Sequence, residues 1–389
     1  MKVMIIHHQM GVYGGAETLV TKLSTYLTNK GIENAILALS KPPEAVEECN
    51  DLQIITPNQS FEYKNWSVSF SDAIRLVNEV LALRKLYREH VDKFDLVNVH
   101  NFPAIWSIFP KRKPCVWMCN EPPDLWYDSD NNHSSQMKVL RAAFLSVNKF
   151  MVNRYIDSIC VSDKFNAKRA FTRYNKQPEI IPYGIEYELF SKGDSNRAIS
   201  MFGLDDSFIL LQVGIISKSK NQLASVKAVE ELRKHIPNIK LVLAGLNDNG
   251  PYDKMIKEYV NNKGLQECVI FTGHQHKEVL RDLYHACDIA LFPIKTQGGW
   301  LSPFEALSAS KPIIVSTEMT AADIIARERI GVVTDNIVKA VLEIHNNPNL
   351  FHIMAWKGRR FVAENLSWDK FCQSMLTVFE NTLAQRTNM

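Results

Sequence analysis

The sequence predicts an α/β protein of two Rossmann-like, doubly wound domains facing across a cleft. Three observations carry that prediction. Short runs rich in Val, Ile and Leu alternate with helical stretches along nearly all of the 389 residues, and the alternation restarts after a polar segment at Ser191–Ser200. In each half, moreover, the first strand runs into a loop that opens a helix.

Taken in order, Val3–Ile6 reads as a buried strand, then comes a loop with Gly11, Gly14 and Gly15, then a helix from about Ala16 to Asn29 closed by Gly31. Ile32–Leu39 resumes as a strand. Further strands are expected at Phe94–Val99, Cys115–Met118, Ser158–Val161 and Glu179–Ile181. Between them, a helix over about Ser71–His90 sets Ile74, Val77, Leu81 and Leu83 against Arg75, Glu79, Arg84, Lys85 and Arg88, the spacing of an amphipathic helix that packs its apolar side inward. Lys138–Arg154 has Lys138, Arg141, Lys149 and Arg154 as its only charges. That pattern suits either a helix lying on an anionic membrane surface or a buried helix with basic ends.

The second half repeats the rhythm. Strands are expected at Phe208–Val213, Lys240–Ala244, Val269–Phe271, Ile289–Pro293 and Pro312–Ser316, with helices at Leu223–His235, Tyr252–Lys263, Lys277–His285 and from Pro303. The polar segment places the boundary so that one domain covers residues 1–190 and the other 191–367, joined by a hinge near Ser191. The segment from Trp368 has Phe371, Met375, Val378, Phe379 and Leu383 in helical register.

Composition excludes several classes. With 45 Lys and Arg against 42 Asp and Glu, the net charge of +3 gives no broad field for nucleic acid. Hydrophobic residues make up 46% and Gly and Pro number 16 each, which supports a sizeable core and excludes low-complexity disorder. Seven scattered cysteines without a CxxC pair fit neither a disulfide framework nor a zinc site. No stretch of ~20 apolar residues is present to span a bilayer, so a cytoplasmic location is expected, at most at the inner face of the membrane.

Three segments of the sequence carry chemistry. Gly11–Glu17 (GVYGGAE) offers backbone N–H groups and a helix start to an anion, yet lacks the spacing of a dinucleotide or Walker loop. Val213–Asn221 (VGIISKSKN) repeats the arrangement with Lys218 and Lys220 in the loop, placed either to meet phosphate oxygens or simply to be solvated. In Gln297–Ala306 (QGGWLSPFEA), Gly298 and Gly299 free the backbone, and Glu305 lies one turn into the helix, suited to accept hydrogen bonds from a ribose diol. Trp300 either stacks on a sugar or packs in the core.

These segments together resemble the GT-B fold glycosyltransferases of family 4, a retaining group that uses nucleotide-activated sugars. The resemblance rests on GGAE at Gly14–Glu17, DLVNVHN at Asp95–Asn101, CNEPPDLW at Cys119–Trp126 and IIPYGIEYELF at Ile180–Phe190. In the second half it rests on LLQVGIISKSKNQ at Leu210–Gln222, LVLAG at Leu241–Gly245, VIFTGH at Val269–His274, DIALFP at Asp288–Pro293 and FEALSASKPIIVS at Phe304–Ser316. It implies an acceptor-binding first domain, a nucleotide-sugar-binding second domain, and a last helix, residues 368–389, that packs back onto the first. The donor is a nucleoside-diphosphate sugar, UDP- or GDP-linked, the acceptor a glycan or lipid-linked molecule, and neither cofactor nor metal takes part.

Residue by residue, the resemblance places Gly14 and Gly15 by the donor diphosphate, Lys220 as the phosphate-binding lysine beside Gly214, and Glu305 on the ribose hydroxyls. The Gly299, Trp300, Leu301 and Ser302 amides face the phosphates, Gly273 and His274 hold the base, and His100 lines the acceptor side. Departures stand beside the matches. Ile215 occupies the place of the family's arginine, with Lys218 able to reach the same volume, Gln297 replaces the first acid of the E-x7-E pattern, and Asn120 replaces a histidine, leaving Glu121 as the nearby ionisable group. Asp128 and Asp130 read as a polar surface loop in preference to a metal site, and His7, His8, His276 and Cys287 as structural residues. Two other readings keep the fold: a nucleotide-sugar epimerase, and a non-catalytic nucleotide-sugar-binding partner of another transferase.

Overall fold

The computed structural model describes residues 1–11, 14–43, 46–61, 70–120, 122–123, 135–246, 250–295 and 300–387. The chain forms two compact units, Met1–Tyr183 with Trp368–Met389, and Gly184–Ser367. Each is an open parallel sheet covered by helices, as two Rossmann-like α/β domains require.

The first unit's strands are β1 (Lys2–Ile6), β2 (Glu33–Leu37), β3 (Ile54–Ile55), β4 (Leu96–His100), β5 (Cys115–Met118), β6 (Ser158–Val161) and β7 (Glu179–Ile180). They pair in the order β3-β2-β1-β4-β5-β6-β7, with β1 held between β2 and β4 by the registers Met4↔Ala35 and Met4↔Val97. Strands buried on both faces need apolar runs, and Val3–Ile6 and Val116–Met118 supply them. Around the sheet lie α1 (Gly15–Asn29), α2 (Phe70–His90), α3 (Ser135–Tyr155) and α4 (Lys164–Tyr174). Asp163 starts α4 by accepting the Asn166 N–H at 2.8 Å, and Asn175, left-handed at φ 53°, ends it. A final helix running from Trp368 to Thr387 packs on α1 and β5 in this same unit, where Tyr26 Oη donates to Gln373 Oε1 at 2.6 Å and the Ser158 and Thr382 hydroxyls meet at 2.8 Å.

In the second unit the chain continues through α5 (Tyr187–Phe190), α6 (Ser195–Phe202), β8 (Phe208–Val213), α7 (Gln222–Leu232), β9 (Ile239–Ala244), α8 (Pro251–Asn262), β10 (Val269–Gly273) and α9 (Lys277–Ala286). It closes with β11 (Ile289–Phe292), α10 (Leu301–Ser308), β12 (Ile313–Val315), α11 (Ala322–Glu328), β13 (Val332–Val333), α12 (Ile337–Asn346) and α13 (Pro348–Asn365); the helix from Trp368 is α14. The sheet order β10-β9-β8-β11-β12-β13 repeats the winding of the first unit, with β8 central and Leu210 registered against both Leu241 and Ile289.

Two expectations are corrected here. Ser191–Ser200 is not a linker. Its latter part belongs to α6, because Asp194 Oδ1 accepts the Asn196 and Arg197 N–H groups, Ala198 is buried, and Gly203 closes the helix at φ 62°. Ser191 itself is buried, its carbonyl accepting from Arg359 Nη2 at 3.3 Å, and Asp282 takes both the Asp194 N–H and Arg197. Upstream residues are held equally firmly to the second unit: Ile185 N–H donates to the Leu366 carbonyl, and Glu186 pairs with Lys277 at 2.8 Å. The second correction concerns α2. Of its four expected inward residues, Ile74, Val77 and Leu81 face out, exposed at 49, 55 and 51%, while Leu83 is buried as expected and Glu79 is only 3% exposed. Glu79 can face inward because His8 Nε2 donates to it at 3.0 Å and Arg75 lies 3.9 Å away.

Candidate functional site

The second unit concentrates the candidate residues at the carboxyl ends of its central strands, where ligands collect in open parallel sheets. After β8 the backbone passes through Gly214, at φ 144°, to Asn221, which enters α7 left-handed at φ 56°. This corner is tied from several sides. Gln212, buried beneath it, donates to the Lys220 carbonyl at 2.7 Å and accepts from Ser225 Oγ at 2.7 Å. Gln222 donates to the Ile215 carbonyl and accepts the Ser217 N–H, and Asn221 Nδ2 donates to the Pro293 carbonyl. The Lys220 stem lies over Gly214, where an added Cβ would stand 3.5 Å from Lys220 Cδ. That packing fixes the direction of the lysine, whereas Lys218 is exposed on the same loop.

Neighbouring strands close in on the corner. The Gly214 N–H donates to Ala244 O at the end of β9, and the Gly245 N–H donates to Gly273 O at the end of β10. Gly245 admits no side chain, since its Cβ would fall 1.9 Å from the Gly214 carbonyl oxygen. Gly273 sits at a register shift in β10 with φ 72°, which turns the chain toward exposed His274. The loop after β11 joins in through Lys295, whose N–H donates to Ser219 O at 2.8 Å.

That loop leads toward α10, which carries Glu305. Tyr284 Oη, wholly buried, lies 3.1 Å from Glu305 Oε2 and 3.3 Å from the Ser302 carbonyl, its one proton shared between them. Burial pushes the Glu305 carboxyl up to about 7; the Tyr284 hydrogen bond and Lys277 oppose the shift and Glu186 adds to it. The Tyr284 hydroxyl is raised well above its ordinary range, by burial first and then by the adjoining carboxylate. Trp300 packs its ring 4.6 Å from Phe304 and is buried, so of its two readings the core one matches this placement. Leu301 and Ser302 open α10 half-buried. Gln297, Gly298 and Gly299 lie outside the described residues. Ile215 stands exposed where the arginine is expected.

The first unit's corner has the opposite character. Glu17 accepts the Gly14 N–H at 2.9 Å and the His7 Nε2 proton at 2.8 Å, which places a carboxylate at the start of α1 beside Gly15. His100 does not line a surface. It is fully buried at the end of β4, donates from Nε2 to Asn98 Oδ1 at 2.8 Å, and has its ring 6.4 Å from that of His7. Burial, with His7 adding, lowers its pKa to about 3, so the imidazole is neutral. Asn120 accepts from Tyr183 Oη at 2.7 Å, and Glu121, Asp128 and Asp130 lie outside the described residues. Among the described residues no group of three or more His, Cys, Asp or Glu side chains is placed to hold a metal, and no helix is long and apolar enough to cross a membrane.

Sequence reasoning missed Tyr284, Gly245 and Gln212. Tyr284 and Gln212 lie at buried positions of an amphipathic helix and a strand, where nothing local distinguishes a polar support from a core residue. Gly245 carried a signal, the glycine directly after an apolar strand.

Comparison with known proteins bears on the whole chain. The family described as glycosyltransferase family 4 matches residues 13–189, and that described as glycosyl transferases group 1 matches residues 198–361. A GDP-mannose-dependent α-(1-6)-phosphatidylinositol monomannoside mannosyltransferase of Mycolicibacterium smegmatis is 24% identical over 49% of this chain, and the chain spans about half, 53%, of that relative's length. The α-monoglucosyldiacylglycerol synthase of Streptococcus pneumoniae is 23% identical over 90% of this chain and 80% of its own. Among solved structures, Anabaena HepE in complex with UDP and glucose superposes with a TM-score of 0.78 at 15% identity, covering 98% of this chain and all, 100%, of that one, which shows a common fold.

Proposed function

The chain belongs to the GT-B fold glycosyltransferases of family 4, enzymes working on nucleotide-sugar donors, and from that premise we propose that it transfers a sugar with retention, without a metal ion, to a glycan or lipid-linked acceptor. The observation that carries this reading is the β8–α7 corner, where Lys220 is folded over Gly214 and braced through Gln212.

The hard step in such a transfer is departure of a diphosphate. Lys220 supplies a fixed positive charge for the leaving oxygens, and backbone amides at the strand ends add dipoles that need no reorganisation. Glu305, held by Tyr284, receives the ribose hydroxyls of a UDP- or GDP-linked donor. In its ionised form it accepts from both hydroxyls, so nucleotide binding drives its proton off. His274 and Gly273 stand beside the base. The leaving phosphate takes the acceptor proton on the same face of the sugar, which keeps the anomeric configuration and spares the protein a strong base. His100, buried and neutral, is left out of that role.

The test begins with thermal unfolding against UDP, GDP, ADP and CMP and their sugar conjugates. A ligand at ~100 times its Kd adds ~2.7 kcal/mol of stability. One diphosphate should stabilise the wild type and lose its effect in Lys220→Ala and Glu305→Ala. Product NMR then reads the anomer, and EDTA should leave turnover unchanged. An inverted anomer, or turnover abolished by chelation, overturns the corresponding part of the proposal.

A further inference from the structure

The second unit holds a cleft of about 650 Å³ that the donor corner does not use. Two of its residues, Asp288 and Lys311, lie just before β11 and β12, so the cleft sits at the amino ends of these parallel strands, opposite the end where Lys220 stands. Three helices wall it: α9 ends beside it with His285, α10 with Ala309, and α13 runs past with Trp356 and Arg359.

Turn chemistry builds the floor. Helix α10 closes through Ser310, left-handed at φ 57°, a conformation glycine adopts at far lower cost. The serine is used there, because its Oγ accepts from Arg359 Nη1 at 3.3 Å, and the same turn carries Lys311 into the cleft, its N–H donating to the Ala306 carbonyl at 3.1 Å. Arg359 is fixed further by donating from Nε to Tyr187 Oη at 3.1 Å and from Nη2 to the Ser191 carbonyl at 3.3 Å, and its fork still has N–H groups to spare. His285 donates from Nε2 to the Phe190 carbonyl at 3.0 Å, which leaves Nδ1 as an acceptor. Only glycine at position 193 allows that approach, since a Cβ there would fall 2.4 Å from the imidazole. Asp288 gives Oδ2 to the Ile209 N–H at 2.7 Å and keeps Oδ1. Above this polar floor the rim is apolar, with Leu350, Ile353 and Trp356, each three residues on along α13, exposed at 59, 68 and 60%.

Fixed donors and fixed acceptors beside an exposed indole meet the needs of one ligand class. A sugar hydroxyl donates and accepts at once, so it needs both kinds of group side by side, and the C–H face of a pyranose packs on an aromatic plane. A phosphate-bearing ligand fits less well, because Asp288 would face it. A second copy, or any apolar partner surface, would cover the rim but strip water from Asp288, Lys311 and Arg359 without replacing their hydrogen bonds.

We propose that this cleft is a saccharide-binding subsite, separate from the donor corner, that holds a neutral glycan by stacking one ring on Trp356 and bonding its hydroxyls to Asp288, Lys311 and Arg359. For a glycan acceptor, such a hold raises the effective concentration at the enzyme. The binding itself needs no nucleotide and does not depend on the sugar-transfer reading.

The experiment is native electrophoresis of the purified full chain through gels containing dextran, mannan or galactan, without nucleotide. At least one of the three should retard the wild type, and varying its concentration gives an apparent Kd. Trp356→Ala should raise that Kd ~10-fold or more, Trp356→Phe less, and Lys311→Met ~3-fold. Trp356 is exposed, so the unfolding temperature of Trp356→Ala and its stabilisation by nucleotide should match the wild type. Lys220→Ala, which tests the donor corner, should be retarded like the wild type, and this separates failure here from failure there. Migration unaffected by all three polysaccharides, retardation that survives Trp356→Ala, retardation lost in Lys220→Ala, or a Trp356-dependent dimer in sedimentation would each overturn the proposal.

Discussion

The β1–α1 corner and the β8–α7 corner occupy the same place in two sheets wound in the same order, and they are chemically opposite. In the first, Glu17 fills the start of the helix, taking the Gly14 N–H and the His7 proton. In the second, Lys220 lies over Gly214 and polar side chains from three directions hold its backbone. Topology repeats here, while the side chains at the two helix starts present opposite charge to a ligand.

The substitution that breaks this contrast most severely is Gly245→Val. Its new side chain would drive into the Gly214 carbonyl, so chemical denaturation should show a loss of ~3 kcal/mol or more in the second unit. The equivalent insult at Gly14 is milder, because the neighbour 3.3 Å from its Cβ is the end of the Glu17 side chain. Next in size is Lys220→Ala, expected to lower kcat/KM for the nucleotide sugar ~100-fold or more, ~2.7 kcal/mol of transition-state stabilisation. Glu17→Gln should leave kcat/KM within ~3-fold; a comparable loss in both would erase the distinction between the corners.

Titration sharpens the contrast further. Glu305 keeps its proton in the folded chain up to about pH 7, so its contribution is fully present below the ordinary carboxyl range near 4.5 and is lost as pH rises through 7. His100 refuses a proton in the folded chain down to about pH 3, so its contribution is present above the ordinary imidazole range near 6.5 and is lost as pH falls from there. Unfolding monitored separately in the two units should give slopes of opposite sign, on the order of 2 kcal/mol each over those windows. Glu305→Gln and His100→Gln should flatten one slope apiece. Smallest of all, Asp194→Ala should cost about 1 kcal/mol by uncapping α6, read from the urea midpoint of the second unit.

Much of this was written in local pattern. Strand–loop–helix corners announce themselves, and Lys220 and Glu305 stand where short-range spacing puts them. The losses have a common physical cause. A periodic stripe reveals that a helix has two faces but not which residues the fold covers: the buried side of α2 holds Leu83, Leu86 and Tyr87 together with Glu79, whose burial His8 and Arg75 make feasible. His100 sits at a strand's carboxyl end, a position shared by ligand contacts and core residues, and only Asn98 and His7 around it decide between them. The segment around Ser195 reads as linker on composition, yet Asp194 and Gly203 are helix signals that outweigh it.

The return of α14 to the first unit orders events during synthesis. Residues 184–367 form the second unit without interruption, so they can fold as soon as they leave the ribosome. The first unit has by then been exposed without the helix that covers α1 and β5, and at ~5–20 residues per second it waits about 10–40 s for that helix to follow. During that interval Tyr26, Ser158 and Tyr183 lack the partners that α14 later brings, so the earliest-made unit cannot be completed until the end of the chain has emerged.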